Sequence, residues 1–190
     1  MPTPDRTSLA AIVQAASDLL ESEGLAGLTM NAVAERVGVR PPSLYKRIEG
    51  RDGLIRLVAE ATLTELAARL EPESEVEALA RVFRSFAHER PAAFQLVISP
   101  GAGTPVAGTE FGAAAARPIL RAAAALAGEA DALAAARTFT AWATGFVSME
   151  LNGGFQLGGE VDEAWEFGLS RIVAAIRAPR AAPTATRATG

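Results

Sequence analysis

Apolar residues recur along this chain at the spacing of one helix face, with no convincing strand alternation. Leu9, Ile12, Val13, Ala16, Leu19 and Leu20 form the i, i+3, i+4 stripe of a first helix, and Gly24 stands where a C-terminal cap would end it. A short second helix opens at Thr29, a hydroxyl cap, turns Met30, Val33, Ala34 and Val37 inward, and stops at Gly38. Pro41 and Pro42 suit the first turn of a third, because the N–H that proline lacks has no helical partner there. Gly50 closes that helix. A longer one is predicted from about Arg51 to Leu70, with Leu54, Ile55, Val58, Ala61 and Leu66 on its inner side, and Pro72 breaks it. Ser74 and Glu77 read as a capping box that leads into Leu79, Val82, Phe83 and Phe86. Pro91 ends or kinks that helix, and Phe94, Leu96, Val97 and Ile98 continue it as a short apolar segment.

The stretch 99–109, SPGAGTPVAGT, is too rich in glycine and proline for a helix and reads as a mobile loop. Alanine-rich helices follow over about 110–127, 131–152 and 162–178, the last two separated by Gly153, Gly154, Gly158 and Gly159. The pattern predicts an all-α chain of about nine helices: a three-helix head, a connecting helix and a larger helical body. The expected division is a head over 6–58, a body over 59–178, and a disordered Ala, Pro, Thr and Arg tail over 179–190 with nothing to bury.

Composition narrows the setting. The 190 residues can bury a substantial core, and 49% are hydrophobic, yet no apolar run approaches the roughly 18 residues of a membrane span. The first residues carry no apolar signal-peptide segment, and cysteine is absent, so a soluble protein of the reducing cytoplasm is expected. One histidine, His88, and no cysteine make a transition-metal site unlikely on ligand supply, and no cofactor is expected. The net charge of −4 argues weakly against a nucleic-acid partner. Its distribution changes the picture, since Arg36, Arg40, Lys46, Arg47, Arg51 and Arg56 face only Glu35, Glu49 and Asp52 in that stretch. Such a cluster is either a solvated helix face or a patch turned to phosphates, and charge alone does not choose.

Spacing chooses. In TMNAVAERVGVRPPSLYKRI, residues 29–48, Ala34 permits two helices to cross closely and Gly38 supplies the positive φ that leaves the first. Leu44 and Ile48 are placed to bury against Val33 and Val37, a helix-turn-helix arrangement. Arg40, Pro41, Pro42, Ser43, Tyr45, Lys46 and Arg47 then remain on the outside. Arg40 suits a guanine edge or a phosphate, while Ser43, Tyr45 and Lys46 are phosphate-positioning types. Thr29 and Arg51, at the starts of the flanking helices, are placed to grip the DNA backbone on either side. Tyr45 has the alternative of merely covering the head, and Arg51 that of pairing with Asp52 or Glu49.

Residues 6 to about 58 resemble the DNA-binding domain of the TetR family of bacterial transcriptional regulators. The likeness rests on Gly24, Gly27-Leu28-Thr29, Ala34-Glu35-Arg36-Val37-Gly38-Val39, Ser43-Leu44-Tyr45-Lys46-Arg47-Ile48 and Arg51-Asp52-Gly53-Leu54. Two departures stand out. Arg40-Pro41-Pro42 replaces a more usual small polar opening, which should alter the bases read, and Ile48 replaces a frequent aromatic. In the body, Gly145–Phe155 (GFVSMELNGGF) is similar to one TetR C-terminal subgroup, as is FAHERPAAFQLVI. Thr144 stands where that subgroup has histidine, so no role of that histidine carries over.

The resemblance implies a body that dimerises and binds a small molecule. Phe83, Phe86, Phe94, Phe111, Trp142, Phe146 and Met149 are candidates to line an apolar pocket, although aromatics at helical spacing serve a core more often. Trp165, Leu169, Ile172, Val173 and Ile176 give one stripe, and Leu133, Thr140, Ala143, Val147 and Leu151 another, that two protomers would pair in a four-helix bundle, or that serve the protomer's own core. The expected partners are thus a double-stranded DNA operator, a small apolar effector and a second copy of the chain, with no membrane. A ligand-released repressor is the leading reading, its repressor rather than activator sense coming from family habit. An enzyme finds no nucleophile with a base and no phosphate loop. An interaction protein whose head is only a packing module is the remaining alternative.

Overall fold

The computed structural model describes residues 8–177, and among these the chain forms nine helices and no strand. They are α1 (Leu9–Gly27), α2 (Met30–Val37), α3 (Pro41–Tyr45), α4 (Gly50–Leu70), α5 (Val76–Glu89), α6 (Pro91–Ile98), α7 (Thr109–Ala127), α8 (Ala132–Leu151) and α9 (Val161–Arg177). The all-α class expected from the spacing holds. The tail expected to be disordered, 179–190, lies outside the described residues. None of these helices is long and apolar enough to cross a membrane.

Local chemistry explains most of the boundaries. Ser8 caps α1 by accepting the Ala11 N–H at 3.1 Å. Gly24, at φ 69° and ψ −177°, breaks the helical path of α1 three residues before its end. Gly38 terminates α2 at φ 74°, and the Val39 N–H returns to the Ala34 carbonyl at 2.9 Å, satisfying an end carbonyl in a Schellman closure.

Three boundaries differ from the sequence reading, the first being that α1 runs past Gly24, its expected end, to Gly27. The third helix ends at Tyr45, well before Gly50, because the Arg47 and Ile48 N–H groups both return to the Leu44 carbonyl (2.9 and 3.0 Å) and wind the chain into a turn that buries Ile48. The capping box does not form: Glu75, not Ser74, is the N-cap of α5, and its side chain makes no capping bond.

Two apolar cores share α4. Its first half places Leu54, Ile55, Val58 and Ala59 among Ile12, Leu19, Val33, Leu44 and Ile48 of the head. Its second half places Leu66 and Leu70 among Leu79, Phe86, Phe139, Val147, Trp165 and Leu169 of the body. The helix passes from one core to the other without a break. A second tie is polar. Both carboxylate oxygens of Glu21 on α1 accept backbone N–H groups that open α6, Ala93 at 2.9 Å and Ala92 at 3.0 Å. Amides at a helix start have no helical acceptor and carry the positive end of its dipole, so a carboxylate there is doubly favoured. Arg90 lies 3.7 Å from Glu21 and 3.2 Å from Glu65 on α4, extending the tie across three helices.

In the body Trp142 stacks on Trp165 with ring centroids 4.7 Å apart. This packing needs Gly168: a Cβ there would stand 2.7 Å from the Trp142 ring.

Candidate nucleic-acid interface and body cavity

The helix-turn-helix forms as a unit because α2 and α3 bury a small shared face. Val33, Ala34, Leu44 and Ile48 are all at most 3% exposed, so the polar residues between them have nowhere to go but outward. Arg40 is the N-cap residue of α3 and is exposed, as are Pro42, Ser43, Lys46 and Arg47, while Pro41 at the first helical position is half-buried. Tyr45 is 58% exposed, which places its ring in solvent rather than over the head. Thr29 is half-buried, and its hydroxyl accepts the Ala32 N–H at 3.1 Å as the cap of α2.

Arg51 sits differently. Its guanidinium donates to the Leu28 carbonyl at 2.8 Å and the Leu25 carbonyl at 2.5 Å, closing the frayed end of α1 onto the start of α4. These bonds commit it to holding the head together. Sequence spacing could not show this, because the two acceptors are backbone atoms more than twenty residues away.

The cations of the head are also electrostatically unspent. Among the described residues, ion pairs tie Arg69, Arg81, Arg84, Arg90 and Arg121 of the body to carboxylates. None involves Arg36, Arg40, Lys46, Arg47 or Arg56. Arg117, Arg137, Arg171 and Arg177 of the body are likewise in no ion pair among the described residues, so what sets the head apart is that five such cations fall between positions 36 and 56, around the helix-turn-helix.

The body forms an apolar cavity of about 270 Å³ between α4, α5, α6, α7 and α8, open to solvent on one side. Of the seven residues expected to line a pocket, Phe83 and Trp142 do so. Phe86 and Phe94 are fully buried core side chains, Phe94 meeting Phe83 edge-on at 5.2 Å. Phe146 packs against Trp142, Trp165 and Phe155. Phe111 is half-buried and Met149 is 49% exposed, both away from the cavity. The walls are largely aliphatic, with Leu66, Leu70, Leu79, Ile98 and Ile119 supplied by four helices, and α7 leaves room there because, apart from Ile119, it offers only the small residues Gly112, Ala115 and Ala116. No single-residue signal marks such walls. The run of small residues in α7 was the available hint.

Most residues of the stripes expected at a dimer seam pack inside the protomer, while Leu133 and Thr140 are exposed. Val147, Trp165 and Leu169 are at most 1% exposed, and Leu151, Ile172 and Ile176 pack partly buried against the same core. The outward faces of α8 and α9 carry Leu133, Ala141, Gly145 and Met149 on one, and Phe167 and Ala175 on the other.

Between these helices and α5 lies a polar cluster. Arg84 donates from Nε to Glu150 at 2.9 Å and from Nη2 to Glu150 and Asp162, both at 2.5 Å, with its guanidinium 5.2 Å from the Trp165 ring centroid. His88 Nε2 lies 3.1 Å from the same Glu150 carboxylate. The hydrogen bonds from Arg84 hold the Glu150 carboxyl below its usual range, against the opposing effect of burial. Because folding lowers this pKa, the pair's stabilisation is fully present above the ordinary value of 4.5 and is lost as pH falls through the lowered one. Thermal unfolding between pH 7 and pH 3 should therefore show a falling Tm. Glu150→Gln should lower stability by about 1–3 kcal/mol at pH 7 and flatten the acid slope; an unchanged slope would remove Glu150 as a cause.

Comparison with known proteins fits this architecture. Residues 12–58 match the family described as bacterial regulatory proteins, tetR family, and residues 76–172 match the tetracyclin repressor-like C-terminal domain. The chain is 30% identical over 95 residues to an uncharacterized HTH-type transcriptional regulator of Mycobacterium tuberculosis, covering 46% of this chain and 44% of that protein. It is 41% identical over 54 residues to the class C tetracycline repressor protein of Escherichia coli, covering 28% of this chain and 25% of that protein. The chain thus spans less than half the length of these curated relatives. Among solved structures, the regulatory protein SCO4313 superposes with a TM-score of 0.76 at 25% identity, over 92% of this chain and 100% of that one. The Q116A variant of TetR from Acinetobacter baumannii, in complex with minocycline, superposes with a TM-score of 0.66 at 25% identity, over 92% and 99%. With both halves matched in order on a shared fold, the chain belongs to the TetR family of DNA-binding transcriptional regulators.

Proposed function

We propose that the chain is a homodimeric, non-enzymatic cytoplasmic repressor, with 6–58 as its DNA-reading unit and 59–178 as its effector and dimer unit. It holds a palindromic operator and releases it when a small, largely apolar molecule fills the body cavity. The observation that carries the DNA reading is the exposed set Arg40, Ser43, Tyr45, Lys46 and Arg47, turned outward together by the burial of Leu44 and Ile48 and in no ion pair among the described residues. Thr29 adds a backbone contact at the start of α2. Pro41 and Pro42 fix the entry of α3 and so set which side chains reach base edges. Arg51 acts from behind this face by bracing it.

Two features support release by an effector. The cavity walls include Leu63, Leu66 and Leu70 of α4, whose other half is built into the head core. Val97 and Ile98 of α6 also line it, and the start of α6 is hydrogen-bonded to Glu21 of the head. A molecule that prefers one packing of these walls shifts the population of head positions by its difference in affinity for the two states. A related structure with minocycline bound supports a body of this shape accepting a ligand.

The test is binding to a duplex selected from a random pool. Two heads contacting six or more phosphates in all should lose roughly 10³-fold in affinity between 50 and 200 mM salt. A salt-indifferent affinity would overturn the DNA-facing assignment.

A further inference from the structure

The cavity's lining is chemically one-sided, and this restricts what it can hold. Every side chain on its wall is apolar except that of Thr140, and none is titratable. An ion moved into such a space would surrender its hydration with no compensating partner. Volume gives a second limit. A dry apolar cavity of about 150 Å³ accommodates one benzene, so about 270 Å³ has room for roughly twice that. The third limit is the mouth. Gly112 and Ala116 on α7 and Thr140 on α8 are exposed, whereas Leu66, Leu79 and Phe139 at the opposite wall are buried. No hydrogen bond among the described residues claims the Thr140 hydroxyl.

We propose that this cavity takes a compact, uncharged, hydrocarbon-like molecule of about ten carbon atoms, with at most one hydrogen-bonding group, which meets Thr140 at the mouth. The inference rests on the effector reading above and narrows it to a ligand class. It sets this site against acids, amines and elongated or multiply polar molecules. Gly112 and Ala116 are its size-determining positions, since a Cβ built at Gly112 meets nothing within 4 Å.

A matched series on one ten-carbon cage tests this: 1-adamantanol, 1-adamantanecarboxylate and 1-adamantylammonium at pH 7, titrated into the full chain. The readouts are calorimetry and tryptophan fluorescence, the latter informative because the chain's two tryptophans are the wall residue Trp142 and Trp165 stacked on it. The alcohol should bind at least about 100-fold more tightly than either ion. Gly112→Leu and Ala116→Leu should each abolish alcohol binding while Tm is retained. Thr140→Val should weaken the alcohol by about 3- to 10-fold and leave adamantane itself unaffected. The class is overturned if either ion binds as well as the alcohol, if no probe binds to a chain that still binds duplex, or if both filling variants still bind the alcohol. Alcohol binding in the expected pattern that leaves duplex affinity unchanged supports the ligand class and tells instead against release by an effector.

Discussion

Replacing Tyr45 and Lys46 together by alanine should cost at least about 100-fold in affinity for the selected duplex and leave thermal unfolding within about 2 °C of the parent. The first half follows from exposure. Both side chains are exposed while Leu44 beside them is buried, so neither is needed to close the head. A lysine on a phosphate acts through counterion release, so Lys46→Ala alone should lower the slope of log affinity against log salt by about 1 in each head. The second half follows from packing, because Leu44 and Ile48 keep their burial in the variant. Arg51→Ala is the informative contrast. It removes two hydrogen bonds to the Leu25 and Leu28 carbonyls, so it should lower Tm while changing the salt slope little. Should Arg51→Ala instead flatten the slope at unchanged Tm, the bracing role assigned to it is wrong.

The second large effect concerns assembly. In the proposed dimer, glutamates placed at Gly145 and Phe167 should leave a folded monomer, measured by sedimentation equilibrium. Operator affinity should fall by at least about 100-fold, because a two-fold protein engages two half-sites about 34–36 Å apart and a monomer engages one. These positions are outward in the protomer: Phe167 is 64% exposed, and a Cβ at Gly145 meets nothing within 4 Å. A partner seated there would cover both, and two buried carboxylates facing their symmetry mates would be strongly disfavoured. Trp165→Ala separates this seam from the protomer's core. It should unfold or loosen the protomer itself, at about 3–5 kcal/mol for a fully buried aromatic. A dimer that survives the paired glutamates would exclude this face as the seam.

The contrast between Phe167 and Trp165 shows where sequence reading runs out. Both lie on α9, and helical periodicity correctly separates one face from the other. Periodicity does not say whether an apolar face meets the same chain or a second copy. That depends on what α5 and α8 bring against it, and here the Trp142 ring of α8 packs on Trp165 and against the Gly168 backbone. Arg51 makes the same point with polar chemistry. Its charge and position at a helix start read as a phosphate grip until the carbonyls of a chain segment more than twenty residues earlier arrive within hydrogen-bond reach.

The sequence by itself determined the helices and the head. Caps at Ser8 and Thr29, left-handed glycines at 24 and 38, Pro41 at a first turn, and the Ala34–Leu44 spacing are all local requirements, satisfied or not within a few residues. The outward set Arg40, Ser43, Tyr45, Lys46 and Arg47 follows from them, because burying Leu44 and Ile48 orients everything between. The tertiary structure alone decided the cavity, the inner face of α9 and the Glu21 tie. A void is the volume that five helices leave unfilled, and its walls are ordinary aliphatic residues whose meaning comes from distant neighbours. The Glu21 tie likewise needs two unpaired amides of α6 brought to a carboxylate seventy residues away. Local order is written in short-range stereochemistry, whereas empty space and long-range partners exist only once the helices have packed.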